Sequence, residues 1–191
     1  MKTGIFGGSF NPIHNGHAII ARYAMEHCGL DRVWLMVSPQ NPLKDIHDGI
    51  ADVHRIRMTE MVSRRIVGVS TSGFEFGLPR PSFTVDTLAA LQERFPHDEF
   101  HLIIGADNWA VWNKWKGHDE LVSKYKVLIY PRLGYDVEIS DDVLSRVTLM
   151  GAPVVEISST DIRQRVKVGL DITFLVPYDV AHYIENQKLY R

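Results

Sequence analysis

The strongest constraint on the fold is the alternation of short apolar runs with stretches of helical periodicity. Three runs, at residues 33–37, 100–104 and 126–130, are apolar at nearly every position, which is typical of strands buried on both faces. Between them, apolar residues recur every three or four positions, as they do on amphipathic helices. This alternation predicts an α/β fold with a Rossmann-like, doubly wound parallel sheet.

The remaining elements follow from the same patterns and from turn residues. A first strand is predicted over residues 3–6, ending at a Gly-Gly turn, and weaker strands over 147–149 and 154–157. Helices are predicted at residues 16–27, 52–64, 84–95, 159–168 and 178–187. The polar segment 38–50 is equally compatible with a closing lid and with an ordinary surface loop. With 191 residues we expect one domain over 1–191, helical from about residue 158.

Charge, hydropathy and cysteine content exclude several classes of protein. A formal net charge of −2 gives no basis for nucleic-acid binding, so anionic ligands would be held by local groups. No apolar run approaches the roughly 20 residues that a membrane span needs, and the N-terminus lacks a signal-peptide pattern. The single cysteine, Cys28, cannot form an internal disulfide, which favours a cytoplasmic location.

The segment after the first strand, Gly7 to His17, has the character of a phosphate site. Its two glycines allow a ligand to approach the backbone, and it leads into a helix whose free N–H groups attract anions. His14 and His17 lie on one helical face, where each can donate a hydrogen bond to a phosphate oxygen. An ordinary turn with two surface histidines remains an alternative, whereas a zinc site lacks further ligands at characteristic spacing.

Two motifs at opposite ends of the chain carry a resemblance. The first is Ser9-Phe10-x-Pro12-x-His14-x-Gly16-His17, and the second is Ile157-Ser158-Ser159-Thr160-Asp161-Ile162-Arg163. Together they resemble the nucleotide-binding signature of the nucleotidyltransferase superfamily that has a His-x-Gly-His element. The second motif also fits a loose capping box from Ser158 to Asp161, and we retain capping as an additional role.

Three further places are similar to bacterial nicotinate-mononucleotide adenylyltransferases, a resemblance that runs over essentially the whole chain. They are Pro81-Ser82-Phe83-Thr84, Ile104-Gly105-Ala106-Asp107 with the following tryptophans, and the ending Val176-Pro177 to Leu189-Tyr190. Phosphopantetheine adenylyltransferases usually carry Thr-Asn-Gly-His in the first motif, and His14-Asn15-Gly16-His17 argues against them. The resemblance implies a nucleotidyltransferase domain, with ATP and nicotinate mononucleotide as partners.

The resemblance also implies site residues. Catalysis would involve His14, His17 and Arg163. ATP would be bound by Gly7, Gly8, Ser9, Phe10, His14, Gly16, His17, Gly105, Asp107, Arg132, Ser158, Ser159, Thr160 and Arg163, with Arg132 near the adenine. The mononucleotide would contact Lys44, Thr84 and Trp115. Mg²⁺ would be bound through the ATP phosphates and would need no dedicated protein ligands.

Several of these residues have simpler explanations. Trp109 and Trp112 are expected in an aromatic core, whereas Trp115 lies among solvent-facing residues. Thr84 and Asp107 could be helix caps, and the charged side chains Lys44 and Arg132 could be solvated.

The chain departs from the family pattern at Asn11, Phe83 and Lys116. These departures leave the histidines and Arg163 untouched. Nicotinamide mononucleotide, phosphopantetheine, and a non-catalytic nucleotide sensor remain alternative assignments.

Overall fold

The computed structural model of the protein describes residues 1–39 and 50–191. Its centre is a six-stranded sheet in which every neighbouring pair of strands is parallel. The strands are β1 (Lys2–Gly8), β2 (Arg32–Val37), β3 (Val69–Ser72), β4 (Glu99–Gly105), β5 (Lys126–Tyr130) and β6 (Val147–Leu149). The predicted α/β class and parallel sheet are therefore confirmed.

Helices cover both faces of this sheet. They are α1 (Asn15–His27), α2 (Asp52–Ser63), α3 (Thr84–Arg94), α4 (Ala106–Trp109), α5 (His118–Lys124), α6 (Ser159–Lys167) and α7 (Tyr178–Asn186). Side chains of β1 alternate between two hydrophobic clusters, because successive residues of a strand point to opposite faces. Phe6 belongs to the cluster with α1, α2, α6 and α7, and Ile5 to the cluster with α3 and α5.

The strand order, β3-β2-β1-β4-β5-β6, reverses direction between β1 and β4. These strands pair in register, with Phe6 opposite Ile103, so their carboxyl ends reach the same edge. In open α/β sheets, ligands bind at this edge, beside the point where the strand order reverses. The loops that follow Gly8 and Gly105 therefore begin at the position where a ligand is expected.

The structure differs from the predicted elements at several places. Residues 154–157 form no strand; instead Val155 and Ile157 leave the sheet and line a cavity beside the paired histidines, so the prediction was wrong. Strand β3 was missed because its sequence, Val-Ser-Thr-Ser, is short and polar, as an edge strand allows. Helices α4 and α5 were missed because they have only four and seven residues. Within the described ranges, no helix is long and apolar enough to cross a membrane.

The ends of the helices test the three capping roles considered above, those of Ser158, Thr84 and Asp107. Ser158 caps α6, because its Oγ accepts a hydrogen bond from the Asp161 N–H at 3.0 Å, so the capping role is confirmed. Thr84 and Asp107 are not caps. They lie inside the first turns of α3 and α4, whose capping residues are Phe83 and Gly105.

Candidate active site

The loop between β1 and α1 forms the centre of the site. Phe10 has a positive φ of 44°, which side-chain-bearing residues seldom adopt, and is only 1% exposed. Such a conformation persists only where the surroundings hold it. The ring of Phe10 packs edge-on against His17, with centroids 5.0 Å apart. The backbone of this loop and the orientation of His17 are thus connected by direct packing.

The C-terminal part of the chain holds this loop from the other side. Ser159 Oγ donates a hydrogen bond to the Pro12 carbonyl at 2.8 Å, and an Arg163 Nη1 hydrogen bond reaches the Asn11 carbonyl at 2.9 Å. The Tyr190 hydroxyl donates to Asn11 Oδ1 at 2.7 Å. The two sequence motifs therefore meet in space, as the resemblance predicted.

Glycines of the first motif are needed for different reasons. A Cβ at Gly16 would lie 3.0 Å from His14 Nδ1, and one at Gly8 would lie 3.0 Å from the Phe10 ring. Both positions therefore serve close packing inside the protein. At Gly7, by contrast, none of the described atoms would lie within 4 Å of an added Cβ. Gly7 is exposed, so its backbone is accessible to a ligand.

The rings of His14 and His17 pack against each other at the start of α1, with centroids 3.7 Å apart and planes inclined by 31°. The backbone N–H of His14 donates a hydrogen bond to His17 Nδ1 at 3.2 Å. Because Nδ1 accepts, a neutral His17 carries its proton on Nε2, where it can be donated to a ligand. His14 is 4% exposed, and its buried Nδ1 has no hydrogen-bond partner in the described part of the chain.

Both imidazoles are neutral in the unliganded protein near pH 7. Burial, and then the nearby positive charge of Arg132, lower the pKa of His14 to about 3. Burial, His14 and Arg132 together hold the pKa of His17 well below its usual value. The pair therefore offers hydrogen-bond donors without a buried charge, and an anion beside it would favour protonation.

Arg132 lies beside this pair and not in isolation on the surface. Its Nε is 3.6 Å from Asp107 Oδ1, and its Nη2 donates to the Tyr130 hydroxyl at 3.4 Å. A Cβ at Gly105 would lie only 2.2 Å from Asp107 Oδ1, so glycine is required for the observed carboxylate position. Since Arg132 joins the histidines in lining one small cavity, we expect it to contact phosphate as well as any adenine.

A second group of predicted residues lies on the opposite face of the sheet, where the turn bearing Trp115 packs on the first turn of α3. A Cβ at Gly117 would lie 3.0 Å from Val85 Cγ2. Lys116 Nζ lies 4.6 Å from the Phe83 ring centroid and donates to Asp86 Oδ2 at 2.8 Å. Thr84 and Trp115 are both partly buried. This arrangement brings the aromatic ring of Trp115 and the N-terminus of α3 into one region.

The other tryptophans behave as predicted for an aromatic core. Trp112 is 8% exposed, and its ring centroid lies 5.2 Å from that of Trp109 and 5.4 Å from that of Trp115. Lys44, the predicted phosphate contact, and most of the predicted lid lie outside the described residues. Their roles stay predictions.

Two residues beside the first motif were not predicted as site residues. Arg55 donates to the Ser9 carbonyl, and Tyr190 to Asn11. A signal for Arg55 exists in the sequence: it shares the helical spacing i, i+3, i+7 with the buried residues Met58 and Val62. A charged residue on a buried stripe requires partners. For Tyr190 the only signal is its place in the family-like ending.

The paired histidines predict a dependence of stability on pH. Unfolded histidines titrate near pH 6.5, and the folded pair titrates lower, so the unfolded chain binds more protons below that pH. Stability is fully present above about pH 6.5 and falls towards pH 5, by up to roughly 1.4 kcal/mol per pH unit for each histidine. Urea unfolding at several pH values measures this slope.

The slope should be shallower in His14→Asn than in the wild type. A surface control, His97→Asn, removes no buried group and is expected to keep the wild-type slope. Equal slopes in all three proteins between pH 6.5 and 5 would contradict the neutral, buried state of His14.

Comparison with known proteins places this chain in a family. A family model described as cytidylyltransferase-like matches residues 5–165. A relative from Bacteroides thetaiotaomicron, named “Probable nicotinate-nucleotide adenylyltransferase”, is 44% identical over 186 residues, covering 97% of this chain and 92% of its own length. A relative of the same name from Bacteroides fragilis is 45% identical over 175 residues, covering 92% of this chain and 87% of its own length.

A solved structure gives a matching fold. Nicotinic acid mononucleotide adenylyltransferase of Plasmodium falciparum, complexed with NaAD, aligns over 99% of this chain and 97% of its own, with a TM-score of 0.81. Its sequence identity is 19%, so this likeness shows the shared fold alone. The family follows from the sequence relatives: the chain belongs to the nicotinate-nucleotide adenylyltransferases.

Proposed function

We propose that this protein transfers the adenylyl group of ATP to nicotinate mononucleotide, giving nicotinate adenine dinucleotide and pyrophosphate. The observation that carries the proposal is the contact between the two motifs, through the hydrogen bonds of Ser159 to Pro12 and of Arg163 to Asn11. Family membership supports the same reaction. The domain would comprise residues 1–191, and the reaction would take place in the cytoplasm without nucleic acid.

The reaction needs alignment and charge stabilisation more than a strong base. The mononucleotide phosphate is already anionic, so one of its oxygens attacks the α-phosphorus of ATP directly. The bond from that phosphorus to the β-phosphate bridging oxygen breaks, and pyrophosphate leaves with the electron pair. His17 would donate its Nε2 proton in a hydrogen bond to an α-phosphate oxygen, with His14 beside it. Preorganised donors of this kind stabilise charge that develops in the transition state.

The leaving pyrophosphate would be held by the second motif. Ser158, Ser159 and Thr160 stand at the N-terminus of α6, where helix N–H groups favour anions. Arg163 is on the same helix and adds a positive charge. Across the described chain there is no cluster of three or more histidine, cysteine, aspartate or glutamate side chains. Mg²⁺ would therefore be held mainly by the phosphates and water, and it would neutralise charge on the triphosphate.

The mononucleotide would occupy the region at the start of α3. Trp115 would stack on the pyridine ring, and Thr84 with neighbouring N–H groups would receive the nicotinate carboxylate. Lys44 would neutralise the mononucleotide phosphate. On the ATP side, Asp107 would bind the ribose and Arg132 would reach the phosphates. The exposed backbone at Gly7, with that of Gly8 and Ser9, would line the nucleotide, whereas Phe10, which is 1% exposed, would act by packing against His17.

Purified protein with ATP, Mg²⁺ and one acceptor at a time tests this assignment. We expect pyrophosphate release and a dinucleotide product with nicotinate mononucleotide, and much slower turnover with nicotinamide mononucleotide or phosphopantetheine. Faster turnover with the amide would transfer the assignment to nicotinamide mononucleotide. ATP binding without turnover of any acceptor would indicate a nucleotide sensor instead.

Replacing His17 by alanine should remove the donor to the α-phosphate. We expect kcat to fall roughly 10²–10³-fold, the usual effect of losing one preorganised donor, with ATP binding largely retained. His27→Ala at the exposed end of the same helix is the matched control and should keep wild-type kcat. Substantial turnover in the His17 variant would reject this residue's role.

Replacing Trp115 by alanine should mainly weaken binding of the mononucleotide. Stacking on an aromatic ring contributes about 1–3 kcal/mol, so we expect KM for that substrate to rise roughly tenfold or more while KM for ATP stays constant. Trp115→Phe keeps a flat ring, so its KM for the mononucleotide should lie between those of the wild type and the alanine variant. An unchanged KM in the alanine variant would mean that the pyridine ring stacks elsewhere.

A further inference from the structure

Arg55 of α2 is the buried arginine of the described chain, with 5% of its surface exposed. A guanidinium is seldom buried, because removing its charge from water is costly unless its donors are satisfied. Its neighbour on the same helix, Arg57, is 48% exposed and pairs with Glu60, as surface arginines commonly do. The burial of Arg55 therefore requires an explanation that its position on the helix alone does not provide.

The partners of Arg55 connect three segments at the carboxyl edge of the sheet. Its Nη1 donates to the Ser9 carbonyl at 2.5 Å, and its Nη2 donates to the Pro39 carbonyl at 2.9 Å. Nη2 also contacts Asp52 Oδ1 at 2.5 Å, which compensates the charge. Ser9 follows β1 and Pro39 follows β2. The guanidinium thus ties the two strand ends together just beyond their last backbone contact, from Ser38 N–H to the Gly8 carbonyl.

This link bears directly on the orientation of a histidine. Ser9 immediately precedes Phe10, the residue with a φ of 44°, so the bond from Arg55 holds one side of the strained backbone. The other side is held through Asn11 and Pro12 by Arg163 and Ser159. The Phe10 ring in turn packs against His17. A shift of the Ser9 carbonyl would therefore move the surface on which His17 rests.

We propose that Arg55 is a positioning residue for the adenylyl transfer proposed above: by holding the Ser9 carbonyl it fixes Phe10, and through Phe10 the imidazole of His17. A guanidinium suits this task because its two terminal nitrogens reach two separate carbonyls at once. Lysine has a single nitrogen and cannot reproduce that fork. Arg55 itself needs no contact with substrate for this role.

The first test compares Arg55→Lys with the control Arg57→Met. We expect Arg55→Lys to fold and to lose kcat by about 10²-fold, the effect of a displacement near 1 Å, with a much smaller change in KM for the mononucleotide. Arg57→Met should stay within about twofold of the wild type, as surface changes do. A folded Arg55→Lys protein with wild-type kcat would overturn the proposal.

A second readout is independent of activity. In protein with isotope-labelled histidine, the ring resonances of His17, assigned from His17→Ala, should shift in Arg55→Lys and stay in place in Arg57→Met. Unmoved resonances would overturn the proposal even if the wild type turned over none of the acceptors, so this outcome is separate from failure of the proposed function. If Arg55→Lys does not fold, Arg55→Gln takes its place, because it also removes the fork that reaches both carbonyls, and unmoved His17 resonances in that variant would overturn the proposal.

Discussion

The hydrogen bonds that reach the loop after β1 are the interaction on which the rest of the structure depends. Pro12 and Ser159 are separated by 147 positions in the sequence, and Asn11 and Arg163 by 152. The sheet brings these distant residues together. Strand β1 lies inside the sheet, and α6 packs in the same hydrophobic cluster as α1. Buried carbonyls need donors in any fold. Here the donors are also side chains of the second sequence motif, so the same bonds serve stability and the geometry of the candidate site.

The charges around the two histidines are also arranged to limit the cost of burial. His14 is buried and His17 is partly buried. Both imidazoles are neutral, which avoids placing charge in a region of low dielectric, while the positive charges of Arg132 and Arg163 stay at its partly exposed margin. Arg132 also opposes protonation of both histidines. A polyphosphate would reverse this balance by bringing negative charge to the donors. The two histidines therefore carry no positive charge near pH 7, yet their rings can donate hydrogen bonds to an anion.

Much of this arrangement could be read from the sequence, because it follows from patterns along the chain. Continuous apolar runs predicted β2, β4 and β5, and the glycine-rich turn predicted the loop that carries the histidines. Edge strand β3 has no such run, since one side of an edge strand is not buried by a neighbour. In the segment 154–157, the apolar side chains of Val155 and Ile157 line a cavity beside the histidines, a reason that no local pattern distinguishes from strand formation. For Arg55 the helical spacing indicates a buried position, but two of its partners are the backbone carbonyls of Ser9 and Pro39, which carry no sequence signature.

The hydrogen bond between Asn11 and Tyr190 spans 179 positions. During synthesis from the N-terminus, the loop that carries Asn11 emerges from the ribosome early and must wait for nearly all of the following chain before this partner exists. Neighbouring strands β1 and β2 can pair long before then. A growing chain could thus pair β1 with β2 well before it possesses the complete candidate site, and any fragment ending before α6 would lack the donors that hold Asn11 and Pro12 in place.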